Sequence, residues 1–331
     1  MPDEKIKELK ERAKELRKTA VTMIYEAQSG HPGGSLSAAD IVAALYFSEM
    51  HVDPKDPKWP DRDRFVLSKG HVCPIQYAAL GKLGFFPEED LHTLRQEGSK
   101  LQGHPSMVKC PGIDISTGSL GQGTACAVGM ALAGKRDGRD YRVFDMVGDG
   151  ELDEGIIWEA MMTAHKYELD NFIMILDNNG LQLDGPSEVI MPLIDVNRKA
   201  EAFGFEVYEI DGHDMGQIVE VFDKIRAAKN GKPKFINAHT VKGKGVDYME
   251  NNLDCHGNAP NKEQYESAMA LILLCVRGLA VPAGLVFHER DALALDGFGE
   301  DDAGAVLLGT RGGKGGAQGV EVVTVSLYHV P

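Results

Sequence analysis

The sequence has no excess of positive charge: 35 Lys and Arg stand against 50 Asp and Glu, for a formal charge of −15 and a pI near 5.2. A polyanion binder normally shows a basic surplus, at least locally, so nucleic acid is excluded as the expected partner and any bound phosphate must be held by a local site. Cysteine is sparse and unpatterned. The five, Cys73, Cys110, Cys126, Cys255 and Cys275, are odd in number, scattered and never spaced as C-x-x-C. That argues against a disulfide framework and a cysteine zinc site, and fits a reducing cytoplasm. A membrane-spanning run is also missing: the most hydrophobic stretch, 271–287, is interrupted by Arg277, Gly278, Pro282 and Gly284 and falls short of the roughly 20 apolar residues that a spanning helix needs. The opening residues have no apolar leader core. Ile6, Leu9, Ala13, Leu16, Ala20 and Ile24 instead recur at three- and four-residue steps among Lys, Glu and Arg, which predicts an amphipathic helix packed on the domain.

What is present is enough for a large core. A chain of 331 residues with 43% hydrophobic content can bury one large core or two modest ones. Apolar or β-branched runs at 142–147, 172–177, 206–210 and 234–240 alternate with helix-length amphipathic segments such as 155–167 and 217–229. This alternation predicts an α/β fold with a doubly wound, mainly parallel sheet flanked by helices. Ligands in such sheets sit at the carboxyl ends of the strands. The loops that begin Gly148-Asp149-Gly150, Asn178-Asn179-Gly180 and Val241-Lys242-Gly243 are therefore the places for a site.

Asp149 and Asn179 are the first candidates. A magnesium-type cation wants hard oxygen ligands and takes one or two from protein carboxylates or amides, leaving the rest to phosphates and water. The two residues lie thirty positions apart, one strand-to-strand βαβ step, so both should emerge at one edge of the sheet. Their flanking glycines would let a diphosphate approach the backbone. Either segment alone reads equally as an ordinary turn. The Gly118 to Gly123 stretch could be taken for a dinucleotide fingerprint, but no clear hydrophobic strand precedes it and no acidic ribose partner follows about 20 residues on.

Taken together these stretches resemble a known family. GDGELDEG (148–155) followed by LDNNGLQLDG (176–185) resembles the diphosphate and metal motif of thiamine-diphosphate enzymes. SGHPGGSLS (29–37), LSKGH (67–71), GHP (103–105) with STGSLGQG (116–123), and CHGNAP (255–260) occur in the order seen in transketolases, and the likeness spans about residues 5 to 270. The resemblance implies a thiamine-diphosphate-binding domain of the diphosphate-binding (PP) type over 1–270, and transfer of a two-carbon ketol unit from a ketose phosphate to an aldose phosphate. Thiamine diphosphate and Mg2+, with Ca2+ or Mn2+ as substitutes, are the implied cofactors.

Carried over residue by residue, His31 and His256 would face the reacting carbons, and His104 would meet the first substrate hydroxyl. Imidazole suits that work because its ordinary pKa lets it give and take protons near neutrality. His71, Gly118, Ser119, Leu120, Gly150, Glu154, Asn179 and His256 would bind the cofactor. Asp149, Asn179 and the backbone carbonyl of Leu181 would hold the metal. Ser119 stands where many relatives have Pro. His51, His92, His165, His213, His239, His288 and His329 fall outside the motif positions and are read as structural or surface residues.

Two absences qualify the resemblance. Full-length transketolases continue into a second domain whose glutamate activates the aminopyrimidine, and this chain has no room for it. The likeness is thus to the N-terminal subunits of split transketolases. It implies a C-terminal partner subunit of roughly 300 residues, two copies of each chain in the assembly, and self-association of the chain alone. The 271–331 segment matches no motif; with Gly309, Gly312, Gly313, Gly315, Gly316 and Gly319 clustered, it reads as a partly disordered tail. The alternatives are a 1-deoxyxylulose-5-phosphate synthase-like or dihydroxyacetone synthase-like subunit, or a non-catalytic subunit that keeps the cofactor motifs.

Overall fold

The computed structural model describes residues 2–275, 306–310 and 323–327. The N-terminal periodicity becomes helix α1 (Pro2–Ala27). Leu9, Ala13, Leu16, Ala20 and Ile24 are buried and Ile6 packs against them, as spacing on a 3.6-residue helix dictates. Short helices α2 (Pro32–Ser37) and α3 (Ala39–Ala44), the latter continued by a π turn over Leu45–Glu49, lead to strand β1 (Arg64–Leu67) and helix α4 (Cys73–Leu83). There follow α5 (Gln122–Arg136), β2 (Val143–Gly148), α6 (Gly155–Lys166), β3 (Phe172–Asn178), α7 (Ser187–Ile190) and α8 (Val196–Ala202). Then come β4 (Glu206–Asp211), α9 (Met215–Ala227), β5 (Lys234–His239) and α10 (Lys262–Cys275).

The five strands form one sheet in the order β1-β2-β3-β5-β4, and every pairing is parallel. Successive residues of a strand face opposite sides, so each strand feeds two cores. Phe144, Met146, Ile173, Ile175 and Ile236 pack under α1, α3, α4 and α9. Val143, Val147, Phe172, Met174, Leu176 and Phe235 pack under α5, α6 and α8. This is the doubly wound arrangement expected.

Three local differences have physical causes. β1 is absent from the expected strands: only four residues long and opening on Arg64, it is defined by its parallel pairing with β2, Arg64 opposite Val143, far away in sequence. α9 starts two residues before the expected 217 because the Asp214 carboxylate caps it, accepting from the N–H groups of Gly216 and Gln217. α10 runs through the boundary expected at 270, and Leu271, Ile272 and Leu273 are buried in a third cluster with Val21, Leu36 and Met249. Stacking of Tyr265 on Tyr25, centroids 4.2 Å apart, fixes the same helix to α1.

Within the Gly-rich segment, β6 (Val306–Thr310) pairs antiparallel with β7 (Val323–Leu327). The rest of the expectation for 271–331 beyond α10 lies outside the described residues. Among the described residues, no helix is long and apolar enough to cross a membrane.

Candidate active site

Strands β1, β2, β3 and β5 end on the same side, and the loops that leave them, together with the 29–37 and 116–123 stretches, line a cleft of about 310 Å³. Two close approaches bring the loops together. A Cβ on Gly34 would lie 2.5 Å from the Val72 side chain, and one on Gly70 would lie 2.8 Å from the Gly118 nitrogen. Only glycine lets the 29–37, 67–71 and 116–123 stretches pack this tightly.

One end of the cleft holds oxygen donors. β2 and β3 pair with Gly148 opposite Asp177, which sets Asp149 and Asn179 on neighbouring loops at one sheet edge, as their spacing predicts. Asp149 is buried, accepting from the Gly150 N–H at 2.9 Å and the Ser187 hydroxyl at 2.9 Å. Burial raises its pKa, with the Ser187 bond opposing. The Asn179 amide oxygen accepts the Leu181 N–H at 3.2 Å, and Leu181 itself lines the cleft. The Lys242 ammonium sits 3.1 Å from the carbonyl of Leu181 and 3.3 Å from the carbonyl of Gln182. Asp149, the Asn179 amide and the Leu181 carbonyl are hard oxygen donors, a set that fits a divalent ion of the magnesium type. Among the described residues, no three His, Cys, Asp or Glu side chains could hold a metal by themselves; the amide, the carbonyl and a ligand's own oxygens would complete the shell.

A second cation lies behind these donors. Lys69 is buried and paired with Asp177, whose carboxylate also accepts from Ser37 at 2.6 Å and from Thr240. Burial would raise the Asp177 pKa, but Lys69 together with the Ser37 and Thr240 hydrogen bonds outweighs it and the group is held down. Glu151, also buried, accepts from the Ser68 hydroxyl at 2.5 Å and from the N–H groups of Gly121 at 2.8 Å and Gly148 at 3.2 Å. It ties the 116–123 loop to β2.

Three imidazoles form a cluster in the same cleft. The ring centroids of His31 and His71 are 5.0 Å apart, those of His31 and His256 5.4 Å, and those of His71 and His256 5.3 Å. Burial, reinforced by Arg95, His104 and Lys242, brings His31 down to about 4. Burial, with Lys242 and His31, does the same to His256, also to about 4, and His71 lies well below its ordinary value from burial and the neighbouring His31. All three are neutral at physiological pH, able to accept a proton or donate one from the ring N–H. The Nδ1 of His31 is buried and has no hydrogen-bond partner.

Of the residues singled out in the sequence, His31, His71, Gly118, Leu120, Asp149, Gly150, Asn179, Leu181 and His256 line this one cleft. His104, Ser119 and Glu154 do not. His104 packs its ring against Gly118, Ser119 is exposed in the same loop, and Glu154 lies against Gly121 at the start of α6. Sequence reasoning assigns no role to Lys69, Asp177, Glu151 or Lys242. The two lysines were discoverable as the only Lys or Arg residues within the loop-opening stretches LSKGH and VKG.

Comparison with known proteins identifies the family. Residues 9–278 match the family described as the transketolase thiamine diphosphate binding domain. One of the subunits of the apulose-4-phosphate transketolase of Phocaeicola vulgatus is 44% identical over 253 residues, 76% of this chain and 89% of that protein. The 6-deoxy-6-sulfo-D-fructose transketolase subunit of a Clostridium species is 44% identical over 263 residues, 80% of this chain and 95% of that one. Human transketolase is 42% identical over 267 residues, but these make up 42% of its length. The crystal structure of Campylobacter jejuni transketolase superposes with a TM-score of 0.76 at 35% identity, covering 87% of this chain and 45% of that one. The chain spans less than half of these longer proteins and nearly all of the subunit proteins. It belongs to the transketolase family and is built on that family's thiamine diphosphate-binding domain.

Proposed function

We propose that this chain is the N-terminal subunit of a split transketolase, transferring a two-carbon ketol unit between sugar phosphates with thiamine diphosphate and a divalent metal, magnesium foremost. The observation that carries the reading is that a single cleft brings the Asp149, Asn179 and Leu181 oxygen donors and two lysines together with three neutral imidazoles. When bound, the cofactor supplies the nucleophilic thiazolium carbon. Asp149, Asn179 and the Leu181 carbonyl hold the metal, while Gly150, His71 and Lys242 meet the diphosphate. Gly118, Ser119 and Leu120 shape the loop beside the pyrimidine, and Glu154 approaches from the rim.

His31, His256 and His104 move protons at the substrate hydroxyls. Neutral rings serve this task because each can accept a proton as the sugar oxygen loses one and return it later.

The activating glutamate comes from a C-terminal subunit, with two copies of each chain in the assembly. Two things support this. The relatives of matching length are themselves named as subunits of transketolases, and the segment beyond the Leu181 carbonyl exposes Leu183, Val189, Ile190, Met191 and Ile194, a row of apolar side chains that suits a protein interface. The free cysteines fit a cytoplasmic assembly.

Calorimetric titration of thiamine diphosphate with and without Mg2+, on the native chain and on Asp149→Ala, tests the site. The native chain should bind in a metal-dependent way and the variant should lose that dependence. Metal-dependent affinity that survives in Asp149→Ala rejects the assignment. Ketol transfer should appear only once the C-terminal subunit has been supplied; turnover by the chain alone rejects the split-subunit reading.

A further inference from the structure

His213 lies in the turn between β4 and α9, outside every motif and away from the cleft wall, yet its ring bridges two elements that the site depends on. Its Nδ1 is 2.8 Å from Oδ2 of Asp40 in α3, and its Nε2 accepts the backbone N–H of Val241 at 2.9 Å. Asp40 also receives two guanidinium nitrogens of Arg17, at 3.1 and 2.5 Å. Arg17 and Asp40 are buried, and the His213 side chain is 12% exposed.

This chain of partners leaves one arrangement of protons. Burial pushes the Asp40 carboxyl up, but Arg17 and His213 outweigh it and bring its pKa to about 2, so Asp40 only accepts. Val241 N–H only donates. A ring that meets an acceptor at Nδ1 and a donor at Nε2 carries its proton on Nδ1 and leaves Nε2 bare.

The Val241 amide is where the β5 loop turns into the cleft. On one side, the Thr240 hydroxyl donates to Asp177. On the other, Lys242 reaches the Leu181 and Gln182 carbonyls and Nδ1 of His256, and the Gly243 N–H donates to the Gly33 carbonyl at 2.9 Å. The turn that carries His213 is pressed onto this loop: the Gly212 N–H donates to the His239 carbonyl at 2.7 Å, and a Cβ on Gly212 would lie 2.5 Å from the Thr240 methyl. A larger residue there would push the loop away from the ring.

We infer that His213, braced by Arg17 and Asp40, is a positioning residue: by holding the Val241 amide it sets where Lys242 meets the metal-and-diphosphate end of the cleft and the ring of His256. The inference rests on the cofactor reading for what Lys242 and His256 do, but the placement itself does not.

The test separates the two. In the full chain labelled with 15N-histidine, near neutral pH, the His213 ring should show a protonated Nδ1 and a bare Nε2; a proton on Nε2, or on both nitrogens, overturns the inference. Two variants then distinguish positioning from packing. His213→Gln places an amide oxygen where Nε2 was, whereas His213→Asn reaches only the Nδ1 position. Hydrogen exchange at the Val241 amide should quicken by about ten-fold or more in His213→Asn and return toward the native rate in His213→Gln, with α1 exchange unchanged. Thiamine diphosphate affinity should weaken by about ten-fold in the first variant and recover in the second. Equal effects of both variants, or none at Val241, overturn the inference. If the native chain binds no thiamine diphosphate, the cofactor reading fails, while the ring nitrogens and the Val241 exchange still decide whether His213 holds the loop.

Discussion

The Lys242 ammonium lies 2.8 Å from Nδ1 of His256, so one cation links the carbonyl cage around Leu181 to the imidazole cluster. Burial lowers the Lys242 pKa to about 8, with Asp149 opposing the shift, and the group remains mainly charged near neutrality. Lys242→Met keeps the apolar stem but removes that charge. Affinity for thiamine diphosphate should fall by about ten-fold or more, as expected for a lost charge-assisted bond to phosphate, while affinity for unphosphorylated thiamine stays the same. Paired calorimetric titrations check this; an equal loss for both ligands would mean that Lys242 shapes the cleft instead of meeting the diphosphate.

His256 is held by that ammonium on one side and faces His31 and His71 on the other. Its ring is half-buried, so truncating it should cost little stability but remove a proton-transfer group. In enzyme reconstituted with the C-terminal subunit, His256→Ala should lower kcat by about 10²- to 10⁴-fold at saturating cofactor, with an unchanged circular dichroism spectrum. Near-normal turnover removes His256 from the proton-moving set.

Asp145 sits in the middle of β2, fully buried between Val66 and Met174 on the neighbouring strands, and neither carboxylate oxygen has a hydrogen-bond partner of good geometry. Burial raises its pKa well above 3.8; the nearby Thr124 hydroxyl offsets this only in part, and Glu151 adds to it. A carboxyl whose folded value exceeds its unfolded value binds more protons when folded, so its contribution becomes increasingly unfavourable as pH rises above about 4. Asp145→Val, a β-branched residue suited to a central strand, should therefore stabilise the chain at neutral pH, by something on the order of 1–3 kcal/mol. The gain should shrink as the pH is lowered toward 4. Urea denaturation at several pH values measures it, and a difference independent of pH would show that ionisation is not the cause.

The parts of the molecule legible in the sequence are those written as local patterns. The alternation of apolar runs with amphipathic segments exposes β2, β3, β4 and β5, and the thirty-residue step from Asp149 to Asn179 is enough to place both at one sheet edge. What escapes depends on contacts across the chain. Lys69 and Asp177 are separated by 108 residues, and Ser68 and Glu151 by 83, so neither pair leaves a spacing to read. Glu151 shares its stretch with Asp153 and Glu154, yet only the fold turns Glu151 inward and leaves the other two exposed. His213 reads as an ordinary turn histidine because both of its partners, Asp40 and Val241, lie far from it in sequence. The Asp214 cap was readable, being a residue of the preferred type just before an apolar-periodic segment.

The same distinction between local pattern and distant contact bears on the domain boundary. By composition the break falls at 270, where charged residues give way to Leu271, Ile272 and Leu273. In the fold these three are 3%, 2% and 5% exposed and complete the cluster that joins α10 to α1. Each buried aliphatic side chain is worth at most about 1.5–3 kcal/mol, so cutting the chain before them should remove several kcal/mol. A chain ending at Cys275 should thus melt at least several degrees above one ending at Ala270. Because α10 packs on α1 and stands apart from the metal end of the cleft, both should keep metal-dependent thiamine diphosphate binding at low temperature. Differential scanning calorimetry of the two truncated chains, with cofactor titration in the cold, measures both halves of this expectation. Equal melting temperatures would put the boundary at 270 after all, and loss of binding in the shorter chain would mean that α10 supports the cleft itself.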